Sequence, residues 1–266
     1  AAAAHNSGGN VIFQVRGKVP RHSMKAREVR IPAALVDAVV VDATQRQGYD
    51  LVYDAALSGQ DRRDDPEPPQ PAFSSRLVIA RRAQQELHDN AVINFGFGIP
   101  DQIAKLIDRD GHAERYFQTI EHGTYGGRLM DGDLFGYAMN PSCMIDGPSQ
   151  FDFYSGGGLD IAFLGFGEID AAGNVNVSKL GGNTVGPGGF IDIAQNARKV
   201  VFCGTFDTGG ARLETGDGTL RVTSHGRIPK LVEKVDQITF SGPQASVQGQ
   251  HVIYLSLIHI SEPTRP

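Results

Sequence analysis

The sequence predicts an α/β protein, an open sheet with flanking helices, and three observations carry that prediction. From residue 74 onward, apolar runs of strand length alternate with stretches of helical spacing. Glycine-rich loops follow several of the strand-like runs, and in open α/β sheets ligands bind at that carboxyl edge. The chain has 33 glycines in 266 residues, far above the usual share of about 7%. They concentrate between Gly96 and Gly218, so the loops hold the unusual composition.

Taken in order, residues 1–4 suit the last turn of a helix stopped by Asn6-Ser7-Gly8-Gly9, and residues 11–15 suit a strand. Residues 33–41 read as a short turn and a buried strand, and residues 49–58 as irregular chain. These pieces assemble no complete core, so residues 1–58 read as the tail of a preceding domain. Residues 59–72 are charged and proline-rich and read as a linker, stiffened locally by its prolines. A second domain is expected over residues 73–255.

In that domain Leu77, Ile79, Ala80, Ala83 and Leu87 lie close to helical spacing. Residues 91–95 read as a strand entering Gly96-Phe97-Gly98-Ile99-Pro100-Asp101, where Pro100 suits the first turn of a helix running to Gly111. Asp101 stands where the dinucleotide fingerprint needs its third glycine, which excludes that motif. Further strands are expected at 116–118, 159–164, 199–204, 237–240 and 251–255, with a helix over 191–198. Residues 256–266 have neither helix nor hairpin logic. They resemble translated sequencing-adapter sequence and are expected to be foreign to the fold.

Composition narrows the function classes. Hydrophobic residues make up 40% and charged residues 21%, as in ordinary soluble globular proteins. A net charge of -5 provides no basic footprint for nucleic acid. No apolar run approaches the roughly 20 residues of a membrane helix, and residues 1–9 do not read as a signal peptide, so none is expected. Cys143 and Cys203 lie far apart without a Cys-x-x-Cys, so they read as small buried apolar residues in a reducing cytoplasm. The eight histidines show no His-x-x-x-His spacing, and no metal site is expected.

One carboxylate draws attention. Glu121 follows the strand-like residues 116–118 and heads Glu121-His122-Gly123-Thr124-Tyr125-Gly126-Gly127. That puts it at a strand's carboxyl end, with Gly123, Gly126 and Gly127 letting backbone come close to a bound group. A Glu-x-Gly by itself is a weak signal, since most such glutamates are ordinary loop residues. Gly96-Phe97-Gly98 reads either as a tight turn or as backbone N–H groups at a helix start, able to hold an anion or a developing oxyanion.

Four stretches then occur in a telling order: Asn94-Phe95-Gly96-Phe97-Gly98-Ile99-Pro100, the Glu121 loop, Gly173-Asn174-Val175-Asn176-Val177-Ser178, and Gly186-Pro187-Gly188-Gly189-Phe190-Ile191-Asp192-Ile193. With them the chain resembles the class I (glutamate-nucleophile) coenzyme A transferases. The resemblance is to the short-chain acyl-CoA:acetate and 3-oxoacid CoA-transferases whose two homologous halves form one chain. It covers about residues 1–255, with residues 8–59 similar to the end of the family's first half. The chain departs from the pattern by starting inside that first half and by stopping where the family continues beyond a strand like residues 252–255.

The resemblance implies an open CoA-transferase-like sheet (the NagB/RpiA/CoA transferase-like fold), preceded by the tail of a homologous first domain. It implies ping-pong transfer of CoA between a short-chain acyl-CoA and acetate, propionate, butyrate or a 3-oxoacid, with Glu121 as the nucleophile that carries a glutamyl-CoA thioester. Asn174 or Asn176 would then donate to the oxyanion, along with backbone N–H groups near Gly96 to Gly98. Gly96, Phe97, Gly98, Gly123, Gly126, Gly127, Gly186, Gly188 and Gly189 would lie against substrate or CoA. Moving a thioester between carboxylates is nearly isoenergetic, so no ATP, bound cofactor or metal is implied; the CoA thioester enters as substrate. The same resemblance implies a cytoplasmic homo-oligomer in acyl-CoA metabolism without nucleic-acid or membrane partners. Three other readings are acyl-CoA hydrolysis on the same scaffold, a non-catalytic sensor of CoA or sugar phosphates, and an inert fragment of a transferase.

Overall fold

A computed structural model describes residues 1–66, 70–216, 219–257 and 260–261. It divides into two compact units, residues 1–54 and 55–266. Three residues of the expected linker (67–69) and seven of the expected foreign tail (258–259 and 262–266) lie outside the described residues.

The first unit opens with a short helix, α1 (Ala2–Asn6), stopped before Gly8 at φ +75° as the glycine pair suggests. Strands β1 (Ile12–Val15) and β2 (Ala38–Val41) pair in parallel, Ile12 opposite Ala38 through Val15 opposite Val41. A 3-10 turn, Ala33–Leu35, precedes β2, and the Asp37 carboxylate accepts the Val11 N–H at 2.7 Å. The strand at 38–41 was expected to be buried, but Val39, Val40 and Val41 are exposed. A parallel pair needs crossover elements to cover it, and within residues 1–54 only the five-residue α1 and short 3-10 turns accompany these strands.

The second unit is built on an eight-stranded sheet. Its strands are β3 (Val92–Phe95), β4 (Phe117–Ile120), β5 (Thr124–Tyr125), β6 (Cys143–Met144), β7 (Ile161–Leu164), β10 (Lys199–Cys203), β11 (His251–Leu255) and β12 (Ile260–Ser261); the small hairpin β8 (Glu168–Ile169) and β9 (Val175–Asn176) lies outside it. Their order across the sheet is β12-β11-β10-β7-β3-β4-β5-β6, parallel from β11 to β4 and antiparallel at both edges. The pairing of Tyr254 with Ser261 and of Leu255 with Ile260 brings part of residues 256–266 onto the sheet edge.

Alternation along each parallel strand feeds two cores. Ile93, Phe95, Ile161, Phe163, Val201, Cys203, Ile253 and Leu255 face helices α2 (Ser75–Gln84) and α3 (Ile99–Arg109). On the opposite face Ala162, Leu164, Val200, Phe202 and Val252 pack with Tyr154, Phe190, Ile193 and Phe240. This second layer includes α4 (Gly147–Phe153), α5 (Phe190–Asn196) and α6 (Gly242–Val247).

Caps explain where the helices start. The Ser74 hydroxyl accepts the Leu77 N–H at 3.2 Å, and the Asp146 carboxylate accepts that of Ser149 at 2.8 Å. Pro100 sits in the first turn of α3, which buries Ile99, Ile103, Ala104, Leu106 and Ile107 along one stripe.

Two sequence expectations change. Residues 237–240 form no strand; Phe240 makes an isolated bridge to Val175 while its ring packs 5.1 Å from that of Phe202. Cys203 is buried as expected, with burial pushing its thiol pKa up, but Cys143 lies exposed on the short strand β6. Residues 59–66 also have fixed partners. Asn140 accepts the Arg63 N–H at 3.1 Å and donates to the Arg63 carbonyl at 2.9 Å, and the Asp65 carboxylate accepts from Arg128 Nε at 2.7 Å.

Candidate active site

The parallel strands end together along one edge, and Glu121 is the first residue past β4 there. Its loop turns at Gly123, whose φ is +111°; a Cβ built there would lie 2.2 Å from the Ile145 carbonyl oxygen. Only glycine permits both the dihedral and the approach. Gly126 and Gly127 are also left-handed and pressed against residues 139–142, so the three glycines of this loop are explained by its own folding.

Glu121 is partly buried, and its Oε2 accepts a hydrogen bond from Asn94 Nδ2 at 3.3 Å. Asn94 is 1% exposed and lies in the middle of the parallel sheet, registered with Thr119 on β4 and Ala162 on β7. The Thr119 hydroxyl donates to the Ile93 carbonyl at 2.8 Å and lies 2.6 Å from the Tyr154 hydroxyl, which is itself 3.5 Å from Asn94 Nδ2. Tyr154 is fully buried, and burial pushes its phenol up to about 12. From the other side the loop before α5 comes close: a Cβ on Gly189 would lie 3.4 Å from Glu121 Cγ and 3.1 Å from Phe151 Cζ. Gly189 thus lies beside the Glu121 side chain, and Gly186 and Gly188 are left-handed at φ +85° and +54°.

The asparagines proposed from the sequence have other hydrogen-bond partners. Asn174 Nδ2 donates to Asp170 Oδ2 at 3.0 Å while its Oδ1 accepts the Gly242 N–H at 3.2 Å. Burial works against ionisation of Asp170, but hydrogen bonds from Asn174, Val235 and Ala172 hold its carboxyl below the usual value. Asn176 Nδ2 donates to Glu168 Oε2 at 2.7 Å and to the Lys179 carbonyl at 2.6 Å. Both amides tie down the hairpin β8–β9 and its surroundings, and the amide that meets Glu121 is that of Asn94.

The Gly96-Phe97-Gly98 turn is likewise half accounted for. Gly96 N–H donates to the Phe163 carbonyl at 2.8 Å, and Gly98 N–H to Asp101 Oδ2 at 3.1 Å. Phe97 is 65% exposed and meets Phe135 edge-on at 5.3 Å. Asn94, Thr119 and Tyr154 were missed as site residues. The available signal was one amide inside the apolar run Ala91-Val92-Ile93-Asn94-Phe95, because an unpaired polar side chain on a central strand is costly.

Comparison with known proteins bears directly on this arrangement. No protein-family model matches the chain. Acetate CoA-transferase YdiF of Escherichia coli K12 is 40% identical over 257 residues, which are 96% of this chain and 48% of that protein. Caffeate CoA-transferase of Acetobacterium woodii is 40% identical over 264 residues, 96% of this chain and 50% of that one. YdiF of E. coli O157:H7, solved as apoenzyme and as a thioester complex with CoA, superposes with a TM-score of 0.83 over 95% of this chain and 47% of its own. The chain belongs to the CoA-transferases. It spans about half the length of these relatives. The CoA-transferase fold accounts for the mixed sheet with helices on both faces, as the sequence implied.

Among the described residues no group of three or more His, Cys, Asp or Glu is arranged to hold a metal, and no helix is long and apolar enough to cross a membrane.

Proposed function

We propose that this chain is the glutamate-bearing part of a short-chain acyl-CoA transferase that moves CoA between an acyl-CoA and a carboxylate through a thioester on Glu121. The observation that carries this reading is the position of Glu121: a carboxylate just past the end of β4, the last strand of the parallel run, with the Gly189 loop beside its side chain. The named activities of relatives at 40% identity support it, as does a relative solved as a thioester complex with CoA.

A carboxylate attacks without a proton to lose, so this nucleophile needs no general base. It attacks the acyl-CoA carbonyl, expels CoA thiolate and forms a mixed anhydride. The thiolate then attacks the glutamyl carbon, releasing the first acid and leaving the glutamyl-CoA thioester. An incoming carboxylate reverses both steps. A carboxylate is a weak nucleophile, so the rate depends on positioning and on donors at each oxyanion. Gly189 and its neighbours bring backbone to this point, and the exposed Phe97 offers an apolar surface to substrate. We place the protein in the cytoplasm as part of a homo-oligomer, with a CoA thioester as substrate and acetate, propionate, butyrate or a 3-oxoacid as the acids exchanged.

The test is to incubate the full chain with acetyl-CoA and no acceptor, and then to map adducts by peptide mass spectrometry. A CoA adduct on Glu121 that is lost in Glu121→Gln is the expected result. A folded wild-type chain without the adduct refutes the reading, and CoA release without an acceptor acid redirects it to hydrolysis.

A further inference from the structure

We infer that Asn94 is the donor that holds the glutamyl oxygen during thioester formation, and that Tyr154 and Thr119 orient it for that task. The inference rests on the functional reading above and concerns which of the two Glu121 oxygens does what.

Proton accounting fixes the direction of the buried network. Thr119 has one hydroxyl proton, and it goes to the Ile93 carbonyl at 2.8 Å. In the 2.6 Å contact between Thr119 Oγ1 and the Tyr154 hydroxyl, Tyr154 must then donate. Burial keeps the phenol protonated at neutral pH. The Tyr154 oxygen is left with lone pairs only, and Asn94 Nδ2 faces it at 3.5 Å. An amide beside an acceptor turns its NH2 group that way. This sets the Asn94 amide with nitrogen, and not oxygen, toward Glu121 Oε2 at 3.3 Å. All three Nδ2 contacts of Asn94 lie between 3.3 and 3.5 Å, and the shortest is to Glu121.

The chemistry separates the oxygens. With Oε2 held by Asn94, Oε1 attacks the acyl-CoA carbonyl carbon; the carbon–sulfur bond breaks and the electron pair leaves on the thiolate. The thiolate then attacks Glu121 Cδ, and the carbonyl pair moves onto Oε2. On collapse, the Oε2 carbonyl re-forms and the bond from Cδ to Oε1 breaks, so the released acid carries Oε1 away. The retained oxygen is the one that bears charge in the tetrahedral state, and it is the one that Asn94 already touches. Asn94 is thus a catalytic residue for this step, and Tyr154 is a positioning residue. Losing one such donor costs on the order of a hundredfold in rate.

The experiment compares wild type, Asn94→Ala and Tyr154→Phe in the full chain, each checked by thermal melting. Thioester formation on Glu121 from acetyl-CoA should slow about 100-fold in Asn94→Ala and about 10-fold in Tyr154→Phe. The half-saturating acetyl-CoA concentration should stay within about twofold, because neither residue is assigned to ground-state binding. Unchanged thioester rates in Asn94→Ala would overturn the inference. A second arm needs no acyl-CoA: Glu121 is coupled to glycinamide with a water-soluble carbodiimide, where the amine attacks the same glutamyl carbon and drives charge onto the same oxygen. Amide formation at Glu121 should slow at least about 10-fold in both variants. Equal coupling in wild type and a folded Tyr154→Phe or Asn94→Ala overturns the assignment even if acetyl-CoA forms no adduct. Slowed coupling with no wild-type adduct would sink the transferase reading and leave the Asn94 assignment standing.

Discussion

At the scale of single residues, the site is defined by what cannot be larger and by what must be polar. Gly123 combines φ +111° with a carbonyl oxygen 2.2 Å from where a Cβ would stand. Gly123→Ala should therefore cost about 2–4 kcal/mol and lower the melting temperature by roughly 5–10 °C. It should also displace Glu121, two residues away. Calorimetry checks the first effect and adduct formation the second; a variant that melts with wild type would mean the loop relaxes freely. Glu121 and its glycines were legible in the sequence because strand, carboxylate and turn residues are contiguous there. Asn94 and Tyr154 were not legible as partners of Glu121. They stand 27 residues before it and 33 after it, and only sheet register and the packing of the chain after α4 bring them together.

At the scale of elements, α3 and β4 contain a mismatch. Asp108, near the end of α3, has its carboxyl pushed up to about 6 by burial, and hydrogen bonding from Gln118 on β4 only partly offsets this. Its Oδ2 is buried without a hydrogen-bond partner. The folded state thus keeps a proton that the unfolded chain releases near pH 4, and stability falls as pH rises from about 4 to about 6 and stays lower above. Asp108→Asn should stabilise the protein at pH 7.5 by on the order of 2 kcal/mol and change little near pH 3.5. Denaturant titrations at both pH values check this; equal effects at the two pH values would reject the ionisation argument. The positions of α2, α3, α5, β3, β7, β10 and β11 follow from side-chain period and turn residues, whereas α4, α6 and the two-residue strands β5, β6, β8 and β9 are too short to leave a periodic signal. Residues 237–240 fail as a strand because only Phe240 is anchored, by a single bridge to Val175 and by its ring against Phe202, while Ile238 is exposed.

At the scale of the whole molecule, both cores of the sheet are drawn from residues between Leu77 and Leu257. The two units are separately compact. Removing residues 1–54 should accordingly leave the main unfolding transition of the second unit within about 3 °C of its position, because none of those residues is in either core. Differential scanning calorimetry of the truncated chain decides it, and loss of the cooperative transition would show that the first unit supplies stability to the second. Adduct formation on Glu121 likewise depends on the whole molecule. The relatives are about twice as long as this chain, so the adduct tests how much of the chemistry one glutamate-bearing unit performs.

By itself the sequence determined the alternation of strands and helices, the α/β class, the four motifs in family order and the position of the nucleophile candidate. Each of these is a local property, set by side-chain period, turn chemistry and the residue types at a strand's end. The tertiary structure alone decided which amide reaches Glu121, that Asn174 and Asn176 are held in their own hairpin, and that Gly189, at the start of α5, lies beside the Glu121 side chain. Hydrogen bonds between residues far apart in the chain depend on which strands become neighbours and in what register, and no local pattern encodes that choice.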